Sequence, residues 1–210
     1  NIYIPTLCYH PELTPSGDCR LCLVELVKGS RSRLVVSCLY PVEPGLVVKT
    51  DSERVKADRK MVMQLLLSIT PGSELLQSLG KKLGVEKVEF PIDKNPCILC
   101  GLCVKVCKEV VGVEALGFAQ RGAKRVVTTP FGEPSSTCIA CGSCVFICPV
   151  NCIKMEDKNG YRTIPNWGVK LKLAKCSKCG RPIAPERQLE HIRKQAKLSP
   201  DSMTVCSSCK

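Results

Sequence analysis

Two cysteine runs with the same spacing stand in the middle of the chain. Each reads C-x2-C-x2-C-x3-C; the first starts at Cys97 and the second starts 41 residues later at Cys138. Cysteines at this spacing are typical ligands of [4Fe–4S] clusters, and two copies indicate two clusters. Zinc knuckles are the alternative, but the runs oversupply thiolates locally for zinc, which takes four ligands. The pair of runs therefore predicts a protein that transfers single electrons.

The fourth cysteine of each run is expected to bind the cluster of the other run. In two-cluster proteins with these runs, three cysteines hold one cluster and the fourth holds its neighbour. The first predicted [4Fe–4S] set is Cys97, Cys100, Cys103 and Cys148, and the second is Cys138, Cys141, Cys144 and Cys107. Such an exchange places the two clusters close together, as efficient electron tunnelling requires.

Eight further cysteines form two sets outside these runs. The first has the spacing C-x10-C-x2-C-x15-C, whose C-x2-C core is found in [2Fe–2S] sites but whose first gap exceeds the plant-type C-x4-C; zinc or idle thiols are the alternatives. The second set joins two C-x2-C knuckles across 26 residues, which predicts a structural zinc ribbon, with rubredoxin-like iron as the competitor. The first set is Cys8, Cys19, Cys22 and Cys38, and the second is Cys176, Cys179, Cys206 and Cys209. Cys152 remains, and we interpret it as a buried spectator thiol.

Composition narrows the class of protein. Most of the 17 cysteines stand in C-x2-C pairs, which suit metal ligation better than disulfide geometry. The sequence shows no signal peptide and no apolar run of about 18 residues, so we expect a cytoplasmic protein without a membrane span.

The net charge of +12 suggests that the protein binds nucleic acid, but this value counts every thiol as neutral. Deprotonated ligands at four metal sites would reduce it to about +4, which argues against nucleic-acid binding.

Regular elements are expected around these sites. Apolar, β-branched runs on either side of Gly29-Ser30 predict a hairpin, and a third short strand follows it. Thr50 and Glu53 have the spacing of a capping box, and the helix that they begin should end before Pro71. Its apolar face is predicted at positions 55, 62, 66 and 69. The strands are predicted at 23–28, 33–39 and 45–49, and two further helices at 73–84 and 186–197.

Several segments resemble the large iron–sulfur subunit of respiratory complex I. Ile4-Pro-Thr-Leu-Cys8-Tyr-His10 and Gly17-Asp-Cys19-Arg-Leu-Cys22-Leu-Val-Glu25 are similar to its [2Fe–2S] domain, in which the first gap is also the long one. Further segments resemble its two-cluster module: Asn95-Pro-Cys97-Ile-Leu-Cys100, Gly117-Phe-Ala119, Arg121-Gly122 and Pro130-Phe-Gly-Glu-Pro134. Relatives of that subunit occur in NAD-reducing hydrogenases, [FeFe] hydrogenases and NAD-dependent formate dehydrogenases. The resemblance implies that the amino-terminal cysteine set holds a [2Fe–2S] cluster.

The chain also differs from this family in three respects. The family's first domain opens with a hairpin and a helix before its first cysteine, so residue 1 is expected inside a β-grasp domain. Family members usually carry a His/Cys3 [4Fe–4S] site before the two-cluster module, whereas residues 66–96 contain neither His nor Cys. The predicted zinc ribbon occupies the position at which family members have a catalytic domain.

We therefore expect an α+β chain with four parts: a partial [2Fe–2S] β-grasp domain at 1–50, a helical linker at 51–89, a two-cluster ferredoxin-like domain at 90–160 and a zinc ribbon at 161–210.

The predicted function is electron transfer inside a multi-subunit complex. The expected cofactors are one [2Fe–2S] cluster, two [4Fe–4S] clusters and one zinc ion. By resemblance, the partners are a flavin- and NAD(H)-binding subunit and a hydrogenase subunit, with soluble ferredoxin as a further partner and flavin-based electron bifurcation as a variant. An NAD-dependent formate dehydrogenase, or another complex I-like oxidoreductase, is the alternative complex. The sequence contains no Rossmann fingerprint, P-loop or convincing pair of catalytic carboxylates, so we expect no catalytic residues in this chain.

Overall fold

A computed structural model describes residues 2–90 and 95–210 of the chain. The chain divides into two compact units, one formed by residues 1–102 with 149–152 and the other by residues 103–148 with 153–210. The described residues form three antiparallel sheets and several separate helices. The predicted α+β class is thus confirmed. The domain limits within it stay a prediction.

The first unit contains a three-stranded sheet in the order β2-β1-β3. Its strands are β1 Leu23–Lys28, β2 Arg31–Val36 and β3 Val47–Lys49. The predicted hairpin is confirmed, with Gly29 at φ +59° in the turn, where a side chain would be strained. The second strand starts two residues earlier than predicted and ends at Val36, because the chain then enters a 3-10 turn, Ser37–Leu39. That turn carries Cys38 out of the sheet.

Two helices follow this sheet, α1 Glu53–Ile69 and α2 Glu74–Lys82. The predicted capping box at Thr50 is wrong, because Ser52 is the N-cap of α1 and accepts a hydrogen bond from Val55 N at 3.4 Å. The Ser52 hydroxyl also donates to Glu25 Oε2 at 2.6 Å, while Ser32 donates to Glu25 Oε1 at 2.6 Å. These contacts lower the pKa of Glu25, with the Ser32 hydrogen bond as the largest cause. The start of α1 is therefore anchored to the sheet.

The apolar face of α1 is rotated from the predicted one. Of the four predicted positions, 55 and 66 are buried, whereas 62 and 69 are only half-buried. Met63 and Leu67 complete the buried face, and Gly80 of α2 approaches so closely that an added Cβ would lie 2.9 Å from Leu67 Cδ1. Close packing of α2 against α1 thus selects which residues of α1 are buried.

The second unit contains a two-stranded and a four-stranded sheet. The four strands follow chain order, β6-β7-β8-β9, and Asn159 and Gly160 form the tight turn between the first two, both with positive φ. The predicted C-terminal helix is present but ends two residues early. The strands are β4 Gly117–Ala119, β5 Val126–Thr128, β6 Glu156–Lys158, β7 Tyr161–Ile164, β8 Val169–Lys175 and β9 Pro182–Pro185. The remaining helices are α3 Leu102–Lys105, α4 Ser143–Phe146 and α5 Glu186–Gln195.

Candidate cluster and metal sites

The amino-terminal cysteine set gathers at the end of the first sheet. Cys8, Cys19 and Cys22 are buried, while Cys38 is half-buried in the turn that follows β2. The backbone N–H of Ser37 donates to Cys22 O at 3.0 Å, which fixes that turn beside the start of β1. The backbone N–H of Cys19 donates to Cys8 Sγ at 3.3 Å. The loop, the strand and the turn thus bring all four predicted residues into one region.

Thiol interactions within this set change the pKa values of Cys19 and Cys38. A hydrogen bond from the Cys8 thiol lowers the pKa of Cys19 to about 6. Burial, followed by a thiol contact with Cys22, raises the pKa of Cys38 to about 11. A [2Fe–2S] cluster bound by four cysteines has two irons, each of which takes two thiolates. The pairing of Cys8 with Cys19, and of Cys22 with Cys38, fits that donor set.

A buried arginine lies next to the amino-terminal set. Arg59 on α1 is 6% exposed, and its Nε and Nη2 atoms donate to the carbonyl oxygen of Leu23 at 3.1 and 2.6 Å. Burial lowers the pKa of Arg59, and the neighbouring Cys22 opposes this effect. The arrangement places a positive charge beside a site that gains negative charge when its thiols ionise.

The two central cysteine runs have the same local backbone. Leu99 and Ala140, each two residues after the first cysteine of its run, have φ of 54° and 50°. The glycines two residues further on also have positive φ. The N–H of Leu99 donates to Cys97 Sγ at 3.4 Å. Burial raises the pKa of Cys138, and a hydrogen bond from the N–H of Ala140 partly opposes that rise. Left-handed backbone at non-glycine residues is uncommon, so its repetition marks two equivalent ligand loops.

The second predicted [4Fe–4S] set lines one cavity of the second unit. Cys107 from the first run reaches this cavity together with the three cysteines of the second run. The cavity is small, with a volume of about 20 Å³, and its walls are mostly apolar. The N–H of Ala115 donates to Cys107 Sγ at 3.3 Å. Four thiols from two runs around one apolar cavity fit the donor set of a [4Fe–4S] cluster, including the exchange of the fourth ligand.

Members of the first predicted [4Fe–4S] set occur in both units. Cys97 and Cys100 belong to the first unit, whereas Cys103 and Cys148 belong to the second. Cys97 is half-buried and the other three are buried. This ligand set stays a prediction from the cysteine spacing. Cys152, expected to be buried, is half-buried instead.

The C-terminal cysteine set is more compact than the others. The four sulfurs of Cys176, Cys179, Cys206 and Cys209 all lie within 4.8 Å of one another. The Cys179 and Cys206 sulfurs are 3.7 Å apart, close to the roughly 3.8 Å edge of a tetrahedron whose metal–sulfur bonds are about 2.3 Å. Among the described residues, this is the only group of three or more potential ligands that is so tightly spaced. Its geometry fits a single tetrahedral ion.

Backbone hydrogen bonds hold the C-terminal set in a knuckle. Cys176 N donates to Arg181 O at 2.8 Å, and Gly180 N donates to Cys176 O at 2.9 Å. The N–H of Cys206 donates to Cys176 Sγ at 3.3 Å and is the main reason why the pKa of Cys176 falls to about 6. Arg181 Nε lies 3.4 Å from Cys179 Sγ. These donors stabilise the thiolate form, which is the form that binds metal.

Sequence reasoning missed three side chains beside the second [4Fe–4S] set. Arg187 Nη1 donates to the carbonyl oxygens of Ser136 and Cys138, both at 3.0 Å. His191 Nε2 lies 3.0 Å from Val111 O, and Trp167 lines the cavity itself. The hydrogen bonds of Arg187 and His191 join residues 49 to 80 positions apart, so no local spacing could indicate them. A helix with basic residues predicts only a solvated face.

Comparison with known proteins gives these sites a family. Residues 1–53 match the 2Fe-2S iron-sulfur cluster binding domain, and residues 91–155 match the 4Fe-4S dicluster domain. The chain is 35% identical over 175 residues to NADH dehydrogenase [ubiquinone] iron-sulfur protein 1 of Solanum tuberosum, covering 71% of this chain and 23% of that protein. It is 35% identical over 158 residues to the NADPH-Fe(3+) oxidoreductase subunit alpha of Geobacter sulfurreducens, covering 63% of this chain and 18% of that protein.

A solved structure shows the same relationship. An NAD+-reducing [NiFe]-hydrogenase chain superimposes with a TM-score of 0.53 and 34% sequence identity, covering 60% of this chain and 63% of that one. The chain is thus an iron–sulfur protein with [2Fe–2S] and [4Fe–4S] ferredoxin-like domains. It belongs to the family of iron–sulfur subunits found in complex I and NAD-reducing hydrogenases. It spans about a quarter or less of the curated relatives named above. Within residues 2–90 and 95–210, no helix is both long and apolar enough to span a membrane.

Proposed function

We propose that this chain relays electrons between a flavin subunit that oxidises or reduces NAD(H) and a catalytic hydrogenase subunit. The observation that carries the proposal is the grouping of cysteines into cluster-binding sets within two domains that match known cluster-binding families. Iron–sulfur clusters accept and release single electrons. The protein's own contribution is to hold the thiolates, donate hydrogen bonds to their sulfurs and keep water away from them.

The names of the relatives support NAD(H) chemistry at one end of the proposed electron path and hydrogen chemistry at the other. The relatives from Solanum tuberosum and Geobacter sulfurreducens are named as components of NADH- and NADPH-linked oxidoreductases. The structural neighbour is an NAD+-reducing hydrogenase, which favours hydrogen chemistry at the other end. A more specific proposal is flavin-based electron bifurcation. It is supported by the absence of His and Cys from residues 66–96, where family members usually carry a His/Cys3 [4Fe–4S] site between the [2Fe–2S] and two-cluster domains.

We further propose the cofactor content: one [2Fe–2S] cluster, two [4Fe–4S] clusters and one zinc ion per chain. Zinc in the C-terminal set is supported by the 3.7 Å sulfur separation and by the four thiol donors. Zinc undergoes no redox change, so this set would stabilise the local fold rather than carry electrons.

Metal analysis of the anaerobically purified chain tests the proposal first. We expect about ten irons, and reduced-state EPR signals of both cluster types. Two or fewer irons per chain would contradict the assignment. NADH alone should leave the clusters oxidised, whereas NADH with the flavin subunit of the native complex should reduce them. Reduction of the isolated chain by NADH would overturn the relay role, because the chain would then oxidise NADH itself.

A further inference from the structure

The helix α5 of the C-terminal region reaches the second [4Fe–4S] set. Arg187, in the first turn of α5, directs Nη1 at Ser136 O and Cys138 O, both 3.0 Å away. Among the described residues, no carboxylate forms an ion pair with Arg187. The guanidinium therefore faces the loop that starts with Cys138, and Glu190 on the same helix is not in ion-pair contact with it.

A buried indole approaches the same set from another side. Trp167 is 8% exposed, lines the cavity that holds Cys107, Cys138, Cys141 and Cys144, and is the last residue of a 3-10 turn between β7 and β8. Its Nε1 forms no hydrogen bond among the described residues. Cys144 lines the same cavity, so its sulfur is an acceptor available to this N–H. A buried N–H without a partner would be satisfied by an accepting sulfur in thiolate form, as in a bound cluster.

A third donor comes from β7. Arg162 Nη1 lies 3.4 Å from Ala140 O, and the same guanidinium forms a two-fold ion pair with Asp157 at 2.7 and 2.8 Å. The Asp157 carboxylate offsets the positive charge of Arg162. Arg162 therefore positions the loop at Ala140 rather than changing the electrostatic potential at the cluster site. Arg187, without such a partner, differs from it in this respect.

Arg162, Trp167 and Arg187 all lie outside the matched dicluster domain, which ends at residue 155. We propose that this C-terminal region tunes the second [4Fe–4S] site through Arg187 and Trp167, making that site easier to reduce. Reduction adds one negative charge, which a nearby cation and an N–H···S hydrogen bond both stabilise. The inference rests on the proposed ligand set, but it assigns to the C-terminal region an electronic role beyond that of a structural ribbon. Both side chains are positioning residues, because neither is itself a ligand.

An EPR-monitored redox titration of the full chain tests this inference. Replacing Arg187 by Gln (R187Q) should lower the equilibrium constant for one-electron reduction of one [4Fe–4S] signal about three- to tenfold, since the lost charge is near but partly solvated. A tenfold change corresponds to about 59 mV for a one-electron couple. R187K keeps the charge and should recover most of the shift. K194Q is the matched control, because Lys194 lies on the same helix, is exposed and pairs with Glu190 at 2.9 Å.

The outcomes separate this inference from the proposed function. Full iron content with a shift in R187Q, and little or none in K194Q, supports it. Full iron content with equal shifts in both variants, or with none in either, overturns it while leaving the relay role intact. W167F should lower the same signal's reduction constant with zinc content unchanged. A W167F chain whose two [4Fe–4S] signals both titrate as in the wild type would contradict the role of the indole.

Discussion

The amino-terminal and C-terminal cysteine sets each supply four thiols, yet they are built differently. In the amino-terminal set, Cys8 contacts Cys19 and Cys22 contacts Cys38, and three of the four residues are buried. In the C-terminal set all four sulfurs lie within 4.8 Å of one another, and one residue is buried while one is exposed. Two pairs suit two irons, whereas one tight group suits one ion. We therefore propose that the grouping of the sulfurs, rather than the number of cysteines, distinguishes the two kinds of site.

The two cysteine sets also differ in the structure that surrounds them. The amino-terminal set is attached to a three-stranded sheet and to the buried Arg59 of α1. The C-terminal set closes a short knuckle in which only Cys176 is buried. With little apolar core of its own, the knuckle is expected to depend on a bound metal for stability. We expect the two sites to respond differently to loss of a ligand.

The largest predicted effect is at the C-terminal set. Replacing Cys176 by Ser should abolish zinc binding and unfold the knuckle, because structural zinc contributes roughly 10–16 kcal/mol in small zinc domains. Zinc content by mass spectrometry and limited proteolysis would measure this. The iron content should stay near that of the wild type. Loss of most of the iron together with the zinc would show that the two kinds of site are not independent.

The corresponding change at the amino-terminal set should remove iron and keep zinc. Cys22→Ser should abolish the [2Fe–2S] EPR signal and reduce the iron content by about two atoms per chain. The sheet should remain folded, because its strands and its contacts with α1 do not depend on the cluster. The matched comparison is Cys152→Ser, which removes a cysteine from no predicted set and should leave the signal unchanged. A [2Fe–2S] signal of full intensity in C22S would contradict the ligand assignment.

Arg59 beside the amino-terminal set is buried, whereas Arg181 beside the C-terminal set is exposed, so replacing Arg59 should have the larger effect. Arg59→Met leaves the Leu23 carbonyl without its donors, which should reduce the free energy of unfolding by about 1–3 kcal/mol. Denaturant unfolding followed by the [2Fe–2S] visible absorption would measure the change. Arg54→Met, an exposed change on the same helix, is the control and should stay within about 0.5 kcal/mol of the wild type. Equal effects of both changes would contradict the role of the buried guanidinium.

The smallest predicted effect concerns Arg181. Its side chain contacts Cys179 Sγ at 3.4 Å but is solvent-exposed, so Arg181→Gln should weaken zinc affinity by no more than about fivefold. Competition with a chromogenic zinc chelator would measure the affinity, with the exposed Lys197→Gln as a control of equal charge. A loss as large as that in C176S would mean that Arg181 does more than screen the thiolates.

Much of the local structure could be predicted from the sequence because its signals are local. Gly29-Ser30 between β-branched runs indicated the hairpin, and the C-x2-C spacing indicated the C-terminal group of four sulfurs. The cap at Ser52 was missed because its hydroxyl is engaged by Glu25, 27 residues away, and no pattern records that contact. Arg187 and Trp167 were missed for the same reason. Tertiary contacts, rather than propensities, bring them to the second [4Fe–4S] set.

Anomalous diffraction from crystals of the anaerobically purified protein, recorded at the iron and zinc absorption edges, would test the difference between the two four-cysteine sites most directly. We predict a single zinc peak surrounded by Cys176, Cys179, Cys206 and Cys209, with no iron there. Iron density should lie between the pair Cys8 and Cys19 and the pair Cys22 and Cys38. Iron at the C-terminal set, or a single zinc ion at the amino-terminal set, would contradict the assignment from sulfur spacing.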